Sequence, residues 1–139
     1  MMNAAGNEIP RGERGYFRKT LEPQIDNENV RLAGEVDHEV KEKFLAGAAA
    51  LLFPIDWPEP FGLVMIEAMA CGTPVIAFRS GSVPEVIDDG ATGFIVENED
   101  EAIAALGRLA ELDRRKVRAR FEQRFSARRM AREYVGCYE

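Results

Sequence analysis

One histidine and two cysteines are all the imidazole and thiol that this 139-residue chain carries. His38 stands alone, and Cys71 and Cys137 lie 66 residues apart with no CxxC pair. A side-chain zinc site and a disulfide scaffold are both excluded on that count. Free thiols in a cytoplasmic protein are expected instead. Long apolar runs are lacking too. The longest, over 44–55, has 12 residues, short of the roughly 20 that span a bilayer. The opening Met1-Met2-Asn3-Ala4-Ala5-Gly6 contains no apolar stretch of the signal-peptide kind. No repeat and no low-complexity linker interrupts the chain.

What is present is globular in composition, 46% hydrophobic and 30% charged. A chain of this length buries about two thirds of its surface, enough for a core without staples. The net charge is −6, unevenly spread. Residues 108–132 hold ten bases and three acids, a balance of +7 that leaves −13 for the rest. An acidic body of this kind excludes a general nucleic-acid binder. The basic segment reads either as the solvated face of helices or as a surface for an anionic partner, at most a peripheral membrane contact.

Along the chain, apolar strands alternate with helical patterns. Residues 1–12 read as an irregular arm, and 15–25 as a helix weakened by Pro23. A short strand is expected over 29–34 and a helix over 36–46. The run 48–54, closed by Pro54, reads as a strand buried on both faces. A loop over 55–61 leads to a helix over 63–71 that stops at Gly72. Strands follow at 74–78 and 93–96. Between them Ser82-Val83-Pro84-Glu85 has capping-box spacing and opens a short helix to 87. Helices over about 100–112, 114–124 and 126–138 complete the chain, the last capped by Ser126. This alternation predicts an α/β fold, a Rossmann-like parallel sheet covered by helices in three layers, as one domain over 1–139. Ligands of such sheets sit beyond the carboxyl ends of the strands, so the loops after Phe53 and Phe78 are the places to look.

The first of these loops carries the chemistry. Pro58 and Pro60 stiffen the backbone that presents Glu59, and Gly62 admits a ligand close to the main chain. The helix that follows begins with unpaired N–H groups near Leu63 and Val64, an arrangement that favours a phosphate. Glu67 sits one turn further in. A carboxylate there repels phosphate, so it should meet neutral hydroxyls such as a ribose diol. Sugar, phosphate and ribose in that order suit a nucleotide-sugar. An ordinary loop and amphipathic helix with surface glutamates fits the spacing equally well. A hydrolase using Glu59 and Glu67 as an acid/base pair and a non-catalytic interaction module are the competing functional classes.

The stretch from Glu59-Pro60-Phe61-Gly62-Leu63-Val64 through Glu67 to Cys71-Gly72-Thr73-Pro74-Val75-Ile76-Ala77 resembles the signature of the GT4-type (glycosyl transferases group 1) retaining glycosyltransferases of GT-B fold, in which Glu59 and Glu67 match an E-x7-E motif. Gly81-Ser82-Val83-Pro84-Glu85 and Gly90-Ala91-Thr92-Gly93-Phe94 match segments that normally follow. The resemblance implies a donor-binding domain for a UDP- or GDP-sugar. Glu59, with the backbone of Phe61, Gly62 and Leu63, would hold the donor sugar. The Leu63 and Val64 amides would hold the distal phosphate, Glu67 the ribose, and Val36 the base. No metal and no cofactor is implied.

Set against the family pattern, the chain is too short for the acceptor domain. Gly6-Asn7 resembles the pair that follows the second of two opening strands, whose loops carry an arginine and a lysine for the diphosphate. Both strands are expected to be missing, and Arg11, Arg14, Arg18 and Lys19 stand in the wrong context to replace the cations. The strand at 30–33 would then be orphaned and the strand at 48–53 left with an open edge. That edge invites self-association, an upstream glycosyltransferase polypeptide, or re-pairing of the orphan. The chain alone is expected to be inactive. Of the other residues, Met65 and Met69 read as core, Cys71 as a buried small residue and His38 as a solvated helix-start residue. Trp57 reads as stacking on a sugar or base or as packing the loop, and Glu85 as a capping residue outside the site.

Overall fold

Two parallel sheets, one of two strands and one of three, organise the chain. The computed structural model describes residues 2–5 (backbone), 14–34 and 36–138, which divide into two compact units, Met1–Lys41 and Glu42–Glu139.

In the first unit β1 (Met2–Ala5) runs parallel to β2 (Val30–Gly34), with Met2 opposite Val30 and Ala4 opposite Leu32. This corrects the reading of 1–12 as irregular, although 6–12, with Arg11, lie outside the described residues. It also corrects the expectation that both opening strands are missing, since β1 directly precedes Gly6-Asn7. β2, paired with β1, is therefore not orphaned. Four residues of Met, Asn and two Ala are too few to show a strand period, and their partner lies far along the chain. The helix expected over 15–25 changes pitch twice. α1 (Arg14–Tyr16) passes into a π-helical stretch, Phe17–Leu21, and a 3-10 turn, Glu22–Gln24, at Pro23. Asp26 then launches β2. Its carboxylate accepts the N–H groups of Val30, Glu28 and Asn29 at 2.7–2.9 Å, and these bonds, Val30's foremost, hold it well below the usual carboxylate range.

α2 (His38–Gly47) carries the chain across the boundary between the units; the His38 side chain lies outside the described residues. The second unit contains β3 (Leu51–Phe53), α3 (Leu63–Ala70), β4 (Val75–Phe78), α4 (Val83–Val86), β5 (Gly93–Val96), α5 (Glu99–Gly107), α6 (Arg114–Arg124) and α7 (Ala127–Gly136). The strands are parallel in the order β3-β4-β5. β4 is central, and its apolar run is continuous because both its faces are covered. Val75 and Ala77 join a core with Met65, Ala68 and Met69 of α3 and Val117 of α6. Ile76 joins the opposite core with Phe94, Val96, Ala105 and Leu112. The unit is thus a parallel sheet flanked by helices, α3 and α6 on one face and α5 on the other. Met65 and Met69 are core residues, but Cys71 is only half-buried.

β3 is shorter than the strand expected over 48–54 because residues 48–50 form the turn that leads out of α2. Ala48 N–H closes a turn on Leu45 O at 3.1 Å. Arg114 then fixes the corner, donating to Ala48 O at 2.6 Å, Ala46 O at 2.8 Å and Thr73 Oγ1 at 2.8 Å. The buried Thr73 hydroxyl donates in turn to Leu45 O. Arg114→Ala removes the donor to all three acceptors, so a loss of about 2–3 kcal/mol is expected. Arg114→Lys should recover little of it, because an ammonium cannot reproduce the planar fork. Urea denaturation midpoints check both, and a wild-type midpoint for Arg114→Ala would refute the role. The helix expected over 100–112 ends at Gly107 and gives way to a 3-10 turn, Leu109–Glu111. Ser126 caps α7 as the sequence suggests, its side chain accepting from Arg129 N–H.

Candidate functional site

Both loops singled out by topology lie at carboxyl ends of parallel strands, one after β3 and one after β4, and they are tied together. Ser82 N–H donates to Glu59 O at 3.1 Å, and Ser82 Oγ donates to Phe61 O at 2.8 Å. Gly81 lies so close beneath Glu59 that a Cβ there would stand 2.4 Å from Glu59 O and 2.6 Å from Glu59 N. Its φ of +50° is in the left-handed region that favours glycine. The capping-box reading of Ser82 is therefore corrected. Ser82 has helical φ and ψ and makes no side-chain cap bond; its hydroxyl is spent 21 residues away on Phe61. The reason given for leaving Glu85 outside the site falls with that reading.

α6 reaches these loops as well. The Phe61 ring meets Phe125 edge-on, with centroids 6.4 Å apart at 82°. Arg124 donates to the carbonyls of Glu85 and Val86 at the end of α4 and pairs with Asp88 at 3.1 Å. Arg120 pairs with the same carboxylate, which raises the Arg120 pKa through that hydrogen bond. Gly81, Ser82 and Phe125 are thus loop supports that sequence reasoning missed, and Arg124 steadies the end of α4 beside them. For Gly81 and Ser82 a signal existed in the quoted motif, but the local cap offered Ser82 a nearer partner.

Gly62 turns the loop into α3. It is the N-cap, with φ 71° and ψ 63°, and a Cβ there would meet Met65 Cε at 2.6 Å. Met65 N–H bonds Gly62 O at 2.9 Å. The amides of Leu63 and Val64 belong to the first helical turn, whose donors have no intrahelical acceptor. Leu63 is exposed and Val64 half-buried. Glu67 lies one turn along α3, half-buried and outside the core clusters. Glu59 is half-buried and Trp57 exposed, and Trp57 Nε1–H donates to Glu59 Oε2 at 3.3 Å. One segment, 57–67, thus brings together Glu59, Phe61, Gly62, Leu63, Val64 and Glu67. Val36, half-buried between β2 and α2, belongs to the first unit. Among the described residues no three His, Cys, Asp or Glu side chains gather as a metal site, and no helix is long and apolar enough to cross a membrane.

The family model described as Glycosyl transferases group 1 matches residues 12–128. A D-inositol 3-phosphate glycosyltransferase of Streptomyces scabiei is 42% identical over 76 residues, 55% of this chain and 17% of that protein. Among solved structures, a sucrose-phosphate synthase from Thermosynechococcus elongatus superposes with a TM-score of 0.82 at 29% identity, over 98% of this chain and 37% of its own. The Anabaena protein HepE, crystallised with UDP-glucose, superposes with a TM-score of 0.78 at 24% identity, over 98% of this chain and 40% of its own. The chain spans about a fifth of the length of the curated relatives it matches.

Proposed function

Because the chain belongs to the glycosyl transferases group 1 family, we propose that its 59–67 segment binds the nucleoside-diphosphate sugar used as donor in retaining glycosyl transfer. Glu59 accepts hydroxyls of the donor sugar. Phe61, whose carbonyl is committed to Ser82, offers its N–H, Gly62 offers main chain without a side chain in the way, and Leu63 adds its own N–H. The Leu63 and Val64 amides, at the positive end of α3, take the distal phosphate. Glu67 takes the ribose diol, since a carboxylate one turn from a phosphate is favoured only by neutral donors. The observation that carries this reading is the hold of Ser82 on Glu59 and Phe61. It holds the backbone that carries Glu59 beside a helix N-terminus at the carboxyl end of the sheet, where ligands of such sheets bind.

Residues 54–67 contain no Lys or Arg, so this segment gives a departing diphosphate no side-chain charge. Preorganised charge of that kind supplies several kcal/mol of transition-state stabilisation. The 139-residue chain on its own is expected to bind donor without transferring its sugar. Calorimetry with UDP and GDP in EDTA, beside a transfer assay, tests the reading. Glu67→Ala is expected to weaken nucleotide binding about tenfold to a hundredfold, the scale of hydrogen bonds to a charged group. Unchanged affinity in Glu67→Ala overturns the ribose role, and turnover by the chain alone overturns the inactivity.

A further inference from the structure

Trp57 is the only tryptophan of the chain, and it is 57% exposed. A tryptophan that packs a loop buries its ring, so the packing role is set aside. Its indole N–H instead donates to Glu59 Oε2 at 3.3 Å. The backbone repeats the link, Glu59 N–H donating to Trp57 O at 2.8 Å, with Pro58 fixing φ between them. The ring and the carboxylate are therefore presented as one rigid unit. One carboxylate oxygen is engaged by the indole, which leaves Oε1 to meet a ligand. On the same loop Phe61 is 42% exposed and, at the start of α3, Leu63 is 64% exposed. Binding sites for small organic molecules combine such apolar surfaces with a few fixed polar groups. A pyranose matches this pair, since its C–H face lies against an aromatic ring while its equatorial hydroxyls donate to a carboxylate.

We propose that Trp57 is a sugar-binding residue, its ring face covering the hexopyranose of the donor and its N–H orienting Glu59 toward the sugar hydroxyls. This rests on the reading of 59–67 as a nucleotide-sugar site and adds the group that recognises the sugar. Trp57 contributes to the sugar half of the ligand and not to the nucleoside diphosphate.

The lone tryptophan makes its own probe. Tryptophan emission and calorimetry are followed on the 139-residue chain with UDP against UDP-glucose, and with GDP against GDP-mannose. With one of these pairs the nucleotide-sugar is expected to shift and quench the emission, while the bare nucleotide leaves it near its starting value. Trp57→Ala should bind the bare nucleotide within about twofold of wild type and lose three- to tenfold in affinity for the nucleotide-sugar. Trp57→Phe, which keeps a ring but has no N–H, should fall between the two. A nucleotide-sugar that binds without changing the emission overturns the proposal, as does a Trp57→Ala variant that keeps the full preference for sugar-bearing ligand. Failure of all four ligands to bind wild type overturns the site reading and this inference with it. Binding of bare and sugar-bearing nucleotide with equal affinity and unchanged emission overturns Trp57 alone.

Discussion

Gly93→Ala is expected to cost the chain roughly 3–5 kcal/mol of stability. A Cβ at this position would lie 1.9 Å from Val75 O, 2.9 Å from Val75 C and 3.0 Å from Val75 N. These are main-chain atoms of β4, and Val75 is the ladder partner of Gly93. No side chain is available to rotate away. β5 must retreat or β4 must move, and β4 is held between two cores. Overpacking alone costs about 1–3 kcal/mol, and each ladder bond weakened adds about 1 kcal/mol. For a domain of this size the melting temperature should fall on the order of 10 °C. Circular dichroism during heating checks it, and a melting temperature within about 2 °C of wild type would show that the sheet relaxes freely.

Gly81→Ala should separate binding from folding. The added methyl would press on Glu59 O, Glu59 N and Pro58 C, at 2.4, 2.6 and 2.8 Å, in a backbone conformation that L-residues rarely adopt. Relief requires the 54–62 loop to lift, which breaks the Ser82 bonds to Glu59 and Phe61 and moves the proposed sugar-binding carboxylate. Donor affinity is expected to fall at least about tenfold, since misplacing polar groups by an ångström forfeits most of their hydrogen bonding. The cores contain neither residue, so the melting temperature should change far less than in Gly93→Ala. Ser82→Ala removes only the hydroxyl bond, about 1 kcal/mol, and should show a smaller loss of affinity. Calorimetry with UDP-glucose and GDP-mannose ranks the three proteins. Wild-type affinity in Gly81→Ala would mean that the loop position is irrelevant to binding.

The strands β4 and β5 and the helix α3 were readable because burial on both faces leaves continuous apolar runs between glycine and proline stops. β1 was not readable, since its existence depends on Val30–Gly34 and not on any pattern within Met2–Ala5. Glu59, Gly62 and Glu67 are legible as neighbours because one loop and the helix that follows it carry all three. The supports are different in kind. Ser82 has two uses open to one hydroxyl, a cap three residues on or a carbonyl 21 residues back, and sequence displays only the near one. The closeness of Gly81 to Glu59 arises from two loops meeting at the end of the sheet, which no spacing rule encodes.

Ser82 grips the neighbouring loop through the carbonyl oxygens of residues 59 and 61. Every amino acid carries that oxygen. The socket at 81–82 therefore constrains where the loop passes, while leaving the choice of side chain at 56, 57 and 59 to whatever ligand is to be met. Mutation can explore those positions without dislodging the segment, and a loop of equal length from a relative can be exchanged as a cassette, provided its backbone still seats against glycine and serine. The architecture thereby separates the path of the loop from the chemistry that its side chains present.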